Sequence, residues 1–178
     1  QFRLTYSTGF RAPQAFDTDL HMAFSGGGIS RIILADDLKQ ERSKSLSASV
    51  NYDRASEQYV YGFTFEGFYT HLKDAFYQDP SGSDSYGDIF VKRNGAGARV
   101  KGLTMEFRAN FMQKVQLESG LTLQQSLYYE AVEYSENLPL KKEFLRSPDY
   151  YGYTTISYNP NPKLSFAANL VHTGAMSL

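Results

Sequence analysis

Polar and apolar residues alternate with a period of two along most of this chain. In residues 103–111, apolar Leu103, Met105 and Phe107 alternate with polar Thr104 and Glu106. Because successive side chains of a β-strand point to opposite faces, this pattern predicts a strand with one apolar and one polar face. Similar alternation, weakest in the fifth, marks six other segments: 2–10, 45–53, 59–72, 116–131, 150–159 and 163–172. No segment has a helical period over ten or more residues, so the predicted fold is all-β.

The connections between these segments alternate strictly between short and long. The long connections are rich in Gly, Ser, Asp and Pro and cover about residues 12–40, 73–95 and 132–148. In an up-and-down antiparallel sheet this places every long loop at one end, as in bacterial outer-membrane barrels. Strands of about 10 to 16 residues exceed the usual length in globular sheets and are long enough to cross a bilayer. We therefore predict an antiparallel up-and-down meander of about seven strands, forming part of a transmembrane β-barrel.

The polar face of the predicted sheet carries charges of both signs. Glu66, Glu106 and Arg108 lie on it, and such charges would be costly in the packed core of a small barrel. A wide, hydrated lumen tolerates them, so these three residues are predicted to face the lumen of a large barrel. Seven strands cannot close such a barrel alone.

Composition excludes several other classes of protein. Eighteen basic and nineteen acidic residues nearly cancel, so the chain lacks the basic footprint of a nucleic-acid-binding protein. It has no cysteine, which excludes disulfides and thiol chemistry, but 14 Tyr and 13 Phe, which favour pleated surfaces. No stretch approaches the length of an apolar transmembrane helix.

Candidate catalytic and metal sites are weak. Asp17, Asp19 and His21 are spaced by two, so an extended segment would place them on one face, but a solvated loop explains them better than a metal site. No arrangement of nucleophile, base and acid stands out. We predict that the chain is not an enzyme and binds no cofactor and no metal.

Three segments resemble one known family. The stretch "YSTGFRAPQAFDTDLH", residues 6–21, resembles the Phe-Arg-Ala-Pro signature at which a strand of TonB-dependent outer-membrane receptors enters an extracellular loop. The stretch "LADDLKQERSKSLSASVNYD" resembles the companion motif Asn-Pro-x-Leu-Lys-Pro-Glu-x-Ser, with Gln40 in place of the usual proline. A third stretch resembles a strand return of the family at Asn94, Gly97, Gly102 and Glu106. The type of motif is similar to that of Bacteroidetes receptors.

The resemblance implies a barrel of about 22 strands, of which residues 1–178 would form a single part. On this interpretation the plug domain, the energy-coupling box and the last barrel strands are expected to be absent from this sequence. The implied function is import across the bacterial outer membrane of a scarce nutrient, namely a siderophore–iron complex, haem, cobalamin or a glycan. The implied partners are outer-membrane lipid, the protein's own plug domain, the TonB energy-coupling complex and the small-molecule or glycan substrate.

Ligand contacts in this interpretation would come from the extracellular loops and the rim. The candidate residues are aromatic, charged or imidazole side chains at these positions: Arg11, Phe16, Asp17, His21, Phe24, Tyr77 and Tyr86. Arg11 has a second interpretation as a strand-end residue, since Pro13 stops ladder hydrogen bonding just beyond it.

A soluble alternative stays open from the residues alone. An all-β secreted binding module for a carbohydrate or protein ligand could bury the aromatic face in a sandwich. The segregated loops and the long strands favour the membrane barrel over this alternative.

Overall fold

The computed structural model describes residues 1–13, 31–85, 87–134 and 139–177. Its main sheet is antiparallel, with strand order β1-β3-β4-β7-β8-β10-β11, and the short strand β9 pairs with β8. The strands of this sheet are β1 (Phe2–Arg11), β3 (Glu41–Ala55), β4 (Tyr59–Lys73), β7 (Ala98–Phe111), β8 (Val115–Val132), β9 (Lys141–Glu143), β10 (Tyr150–Asn161) and β11 (Leu164–Thr173). The seven predicted strands are thus confirmed, in the predicted up-and-down order.

The register of the pairing continues the alternation seen in the sequence across the whole sheet. One row joins Val50, Phe65, Met105 and Leu121 on four neighbouring strands. Residues directly opposite each other in an antiparallel pair lie on the same face. The sheet therefore has one continuous apolar face and one continuous face of hydroxyl, amide and charged side chains, which we call the polar face.

The apolar face is not covered by other parts of the described chain. Phe2, Leu4 and Tyr6 of β1 are 68%, 63% and 64% exposed. Among the described residues the buried apolar side chains are few and mostly small, and no large side chain is fully buried. The burial of apolar side chains that stabilises a soluble domain is therefore absent from the described part of the chain, because its apolar surface points outward.

The tight turns lie at one end of the sheet. Between β7 and β8, Met112 and Gln113 have φ values of 50° and 57°, and the Lys114 amide donates to the Phe111 carbonyl at 2.9 Å. Positive φ at both central residues is the geometry of a type I′ turn, whose twist matches that of a hairpin. Between β10 and β11 the turn lies at Pro162 and Lys163, and the pairing register shifts between Tyr158 and Asn161.

A second sheet occupies the other end of the molecule, where only loops were predicted. It has the order β2-β6-β5 and consists of β2 (Arg31–Leu34), β5 (Phe76–Asp84) and β6 (Gly87–Asn94). Strands β5 and β6 form a hairpin, and β2 pairs parallel to β6. The composition of this region concealed the hairpin, because Pro80 and Gly82, with φ of 89°, are residues that usually mark loops.

No helix in the described ranges is long and apolar enough to span a membrane. In the same ranges β1 and β11 lie at the two edges of the main sheet and do not pair with each other. The sheet is therefore open.

Candidate functional site

The structure brings the resemblance motifs together at the end of the sheet that carries the long connections. Arg11, the last residue of β1, lies directly opposite Glu41, the first residue of β3. The Glu41 carboxylate accepts a hydrogen bond from the Phe76 amide at 3.0 Å. One motif residue thus joins the edge of the main sheet to the first residue of the β5–β6 hairpin.

Phe76 is the centre of this junction. Its ring is 9% exposed and lies 5.4 Å from the Arg11 guanidinium and 4.8 Å from the Lys92 ammonium. A cation over an aromatic face is attracted by the ring quadrupole, and more strongly when water is excluded. Lys92 is only 5% exposed, so the ring helps to compensate the loss of water around its charge.

A tyrosine of β8 also contacts Phe76. The Tyr128 hydroxyl donates to the Phe76 carbonyl at 3.0 Å, and its ring lies 4.4 Å from that of Phe144. We call the six residues of this junction the rim cluster. Its members come from five strands, with two of them in β6: Arg11, Glu41, Phe76, Lys92, Asn94 and Tyr128.

Asn94 connects two of the motifs directly. Its side-chain amide donates to the Lys39 carbonyl at 3.0 Å and to the Asp74 carbonyl at 2.7 Å, and its oxygen accepts from the Lys39 amide at 2.6 Å. Each of these backbone groups lies outside a strand ladder and needs a partner when water is excluded. Asn94 therefore fixes the position of the chain before β3 relative to the β5–β6 hairpin.

Gly97 of the third motif has a structural requirement for glycine. Its φ is 117°, and a Cβ there would overlap the Leu72 carbonyl oxygen. Residues other than glycine rarely adopt such a backbone conformation. The motif glycine therefore allows the chain to enter β7 immediately beside β4.

The predicted ligand residues divide into three groups. Arg11 lies at the end of β1, as predicted, and contacts Phe76. Tyr77 lies in β5, where burial and the nearby Asp79 carboxylate raise the pKa of its phenol; it lies opposite Arg93, which pairs with Asp79 at 3.1 Å. The other five candidates lie outside the described residues: Phe16, Asp17, His21, Phe24 and Tyr86.

On the polar face an ion pair between β3 and β7 passes over the intervening strand β4. Arg108 of β7 forms a salt bridge with Asp53 of β3, and a weaker hydrogen bond, 3.4 Å long, with Thr64. Gly62 of β4 lies opposite both partners of the ion pair, and a Cβ on it would overlap the Asp53 carboxylate. The absent side chain is what lets the two charged groups meet over β4.

Glu66 and Glu106 lie on the same face, opposite Thr104 and Thr64 respectively. Sequence analysis selected Arg108 but missed its partner Asp53. It also missed Phe76, Lys92 and Tyr128. No local signal identifies these residues, because their roles depend on segments that meet only in the folded sheet.

Comparison with known proteins agrees with this architecture. A family model described as "TonB dependent receptor-like, beta-barrel" matches residues 1–177. Among solved structures, the chain is similar to the FrpB iron transporter from Neisseria meningitidis (F3-3 variant), with 18% sequence identity and a TM-score of 0.52. No curated protein matches significantly.

The structural match covers 93% of this chain and 23% of the FrpB chain, so the sequence spans about a quarter of that protein's length. At this identity the similarity concerns the fold alone, namely an antiparallel meander within a large barrel. The family match extends over nearly the whole chain. This chain therefore belongs to the TonB-dependent receptor-like β-barrel family, whose members are transporters of the bacterial outer membrane.

Proposed function

We propose that residues 1–178 form one stretch of the barrel wall of a TonB-dependent transporter, with the plug domain and the remaining strands supplied by the rest of the protein. The observation that carries this proposal is the two-faced open sheet. Its apolar face is exposed, its polar face is charged, and its long connections lie at one end only. A bilayer on one side and a hydrated lumen on the other satisfy both faces.

In this proposal the polar face lines the lumen and meets the plug. Glu66 and Glu106 have no salt-bridge partner among the described residues, so their carboxylates are available to hydrogen-bond donors of a plug domain. The Asp53–Arg108 pair instead braces the wall itself. Charged groups facing a hydrated interior avoid the desolvation cost that burial would impose.

The rim cluster and the adjoining loops would capture the substrate. The cluster holds the β5–β6 hairpin over the end of the sheet, and Tyr77 lies on this hairpin. The proposed ligand contacts are Arg11, Phe16, Asp17, His21, Phe24, Tyr77 and Tyr86. Aromatic and cationic groups at a loop entrance suit a large, partly aromatic or anionic solute.

The proposed substrate is a scarce nutrient: a siderophore–iron complex, haem, cobalamin or a glycan. We put an iron complex first among these classes, because the similar FrpB protein is described as an iron transporter. Release through the plug would draw energy from the TonB complex of the inner membrane. The proposed role is binding and transport, without catalysis. The family assignment favours this role over the soluble secreted module.

Uptake measurements in a strain lacking the gene test this proposal. Labelled ferric siderophore, haem, cobalamin and oligosaccharide would each be supplied at nanomolar concentration to deletion and complemented cells. We expect uptake of one class to disappear in the deletion strain, and also in complemented cells whose proton-motive force is collapsed. Unchanged uptake of all four classes would contradict the substrate proposal, and energy-independent uptake would contradict the coupling.

A further inference from the structure

A patch of basic side chains interrupts the apolar face at the end that carries the long connections. Lys44 lies opposite His71, and His71 lies opposite Arg99, so three basic residues form one row across β3, β4 and β7. The pair of Arg42 and Lys73 lies one row further toward the long connections, and Lys101 lies one row nearer the apolar region. We call these six residues the basic patch: Arg42, Lys44, His71, Lys73, Arg99 and Lys101.

These residues share the apolar face by register. Two rows away from Lys44 on β3 lies Ala48, and two rows away from Lys101 on β7 lies Met105, both in the alternation of the apolar face. Arg42, Lys44, Lys73 and Lys101 are exposed, and Arg99 and His71 are half-buried. Adjacent strands are about 5 Å apart and alternate residues on a strand about 7 Å apart, so flexible Lys and Arg side chains can converge on one anion.

The charge of the patch is not neutralised within the described part of the chain. No carboxylate there lies within salt-bridge distance of Lys44, Arg99 or Lys101. His71 accepts or donates a hydrogen bond with the Tyr129 hydroxyl at 2.6 Å. Two acidic residues lie near the patch: Glu143 is opposite Leu127, which pairs with Arg99, and Asp149 lines the same groove as Lys101. The patch therefore presents an excess of positive charge on the outer surface.

An apolar groove begins immediately below the patch. Its floor is formed where Ala48 and Gly67 lie opposite each other, and it has a volume of about 660 Å³. Leu46, Leu103 and Leu123 line this groove, together with Lys101 of the basic patch. The groove exists because two adjacent strands carry a methyl group and a hydrogen where their neighbours carry large side chains.

The depth of the patch matches the upper boundary of a membrane. Tyr59 ends the apolar face on β4 beside the tight turn, and Tyr69 lies ten residues further along the strand. Ten residues span about 33 Å, which a strand tilt of about 40° reduces to about 25 Å, the height of the apolar band of such barrels. Lys101, opposite Tyr69, and the row above it would therefore lie at the headgroup level of the outer leaflet.

We propose that this surface is a specific site for a phosphorylated glycolipid of the outer leaflet. Lys44, Arg99 and Lys101 bind its phosphate, and one acyl chain lies in the groove over Ala48 and Gly67. Charge-assisted hydrogen bonds from Arg and Lys are the usual means of phosphate recognition. The adjacent groove adds burial of methylene groups, so the site selects a molecule with both parts. This inference rests on the membrane orientation proposed above, with the long connections extracellular.

Native mass spectrometry of the complete receptor in detergent tests the proposal. The probes are bis-phosphorylated lipid A, the same lipid after phosphatase treatment, and inorganic phosphate. We expect saturable binding of the phosphorylated lipid, at least tenfold weaker binding of the dephosphorylated lipid, and no competition by millimolar inorganic phosphate. Competition by inorganic phosphate alone would reduce the site to a simple anion site and overturn the proposal.

Two variants and a control distinguish the contribution of the basic residues to lipid binding from the contribution of the groove. Since each basic residue near an anionic surface contributes about 1 kcal/mol, the triple change K44Q/R99Q/K101Q should weaken binding of the phosphorylated lipid A roughly 100-fold. The control R54Q/K114Q/K163Q removes the same charge at the tight-turn end and should change binding less than threefold. Gly67→Leu fills the groove without changing the charge, and its Cβ would contact only Leu103, at 3.4 Å. This change should weaken the binding of both the phosphorylated and the dephosphorylated lipid.

The outcomes also separate this proposal from the proposed transport function. Equal effects of the patch and control triple variants, or no effect of Gly67→Leu, would overturn the lipid site while leaving energy-coupled uptake intact. The migration of unheated samples in electrophoresis verifies that each variant remains folded. Loss of transport in the gene deletion is independent of either result.

Discussion

Asn94 offers the most direct test of how the rim is held together. Replacing it with alanine removes three hydrogen bonds that join the segment before β3 to the β5–β6 hairpin. The change leaves the Lys39 amide, the Lys39 carbonyl and the Asp74 carbonyl without their partner. We expect the hairpin to open locally while the strands of the main sheet stay paired, because the removed bonds lie outside the main ladder.

The magnitude follows from the exposure of each bond. A typical hydrogen bond contributes about 1 kcal/mol net. The two bonds to Lys39 are exposed to solvent and the bond to Asp74 is half-buried, so we take about 0.5 kcal/mol for each of the first two and about 1 kcal/mol for the third. The sum of about 2 kcal/mol corresponds to a roughly 30-fold increase in the population of the open hairpin.

Hydrogen–deuterium exchange of the complete receptor in detergent micelles measures this opening. Peptides covering residues 37–42 and 74–97 should exchange about 30 times faster in Asn94→Ala, whereas peptides from 103–111 and 116–124 should be unchanged. Asn94→Asp keeps the acceptor for the Lys39 amide but turns a carboxylate oxygen toward the Lys39 and Asp74 carbonyl oxygens, so it should exchange at least as fast as Asn94→Ala. Asn110→Ala is the matched control, since its side chain makes no hydrogen bond in the described part of the chain.

Exchange in 74–97 that is no faster in Asn94→Ala than in Asn110→Ala would refute the reasoning. In that case the ring and hydroxyl contacts of Phe76, and not the Asn94 bonds, would hold the hairpin. Uniformly faster exchange over the whole sheet would also refute it, because the loss would then be global.

Three further substitutions test other contacts. Gly62→Val should lower the urea midpoint of unfolding by displacing the Asp53–Arg108 ion pair, whereas Gly67→Val, which has room for a Cβ, should leave the midpoint nearly unchanged; equal midpoints would contradict the role of Gly62. Met105→Lys places a charge on the apolar face and should cost about 2–4 kcal/mol of folding free energy in lipid. The folded fraction is measured by electrophoresis of unheated samples. Thr104→Lys, one residue away on the polar face, should cost far less, and equal losses would mean that the faces are assigned wrongly. Tyr128→Phe removes the bond to the Phe76 carbonyl, so we expect about fivefold faster proteolytic cleavage within 74–97 in whole cells, from a loss of about 1 kcal/mol; an unchanged cleavage rate would show that this bond does not hold the hairpin.

Much of the main sheet was predictable because its signal is local. The two-residue period of a strand is set by backbone geometry. The alternation of polar and apolar residues in segments such as 103–111 therefore predicts both the strand and its two faces. The order of short and long connections then suffices to define an up-and-down meander. The hairpin of β5 and β6 escaped prediction because β5 is mostly polar and contains Pro80 and Gly82, and because the apolar residues 89–91 of β6 are consecutive, so no alternation marks either strand.

The candidate site was predictable only in part. Arg11 and Arg108 were selected from their positions at a strand end and on a polar face. The partners that give these residues their roles, Phe76 and Asp53, lie more than fifty residues away along the chain. Only the pairing register decides which side chains at such separations come into contact.

The amino-acid sequence by itself determined the seven long strands of the main sheet, its two faces and the end at which the long connections gather, since each depends on neighbouring residues. Tertiary structure alone decided that three motifs meet around Phe76, that an ion pair passes over Gly62, and that basic residues of three strands align above an apolar groove. The physical reason is the same in each case. A row of side chains across a sheet is assembled by interstrand hydrogen bonds, and a shift of one residue in any strand would turn its side chains to the other face.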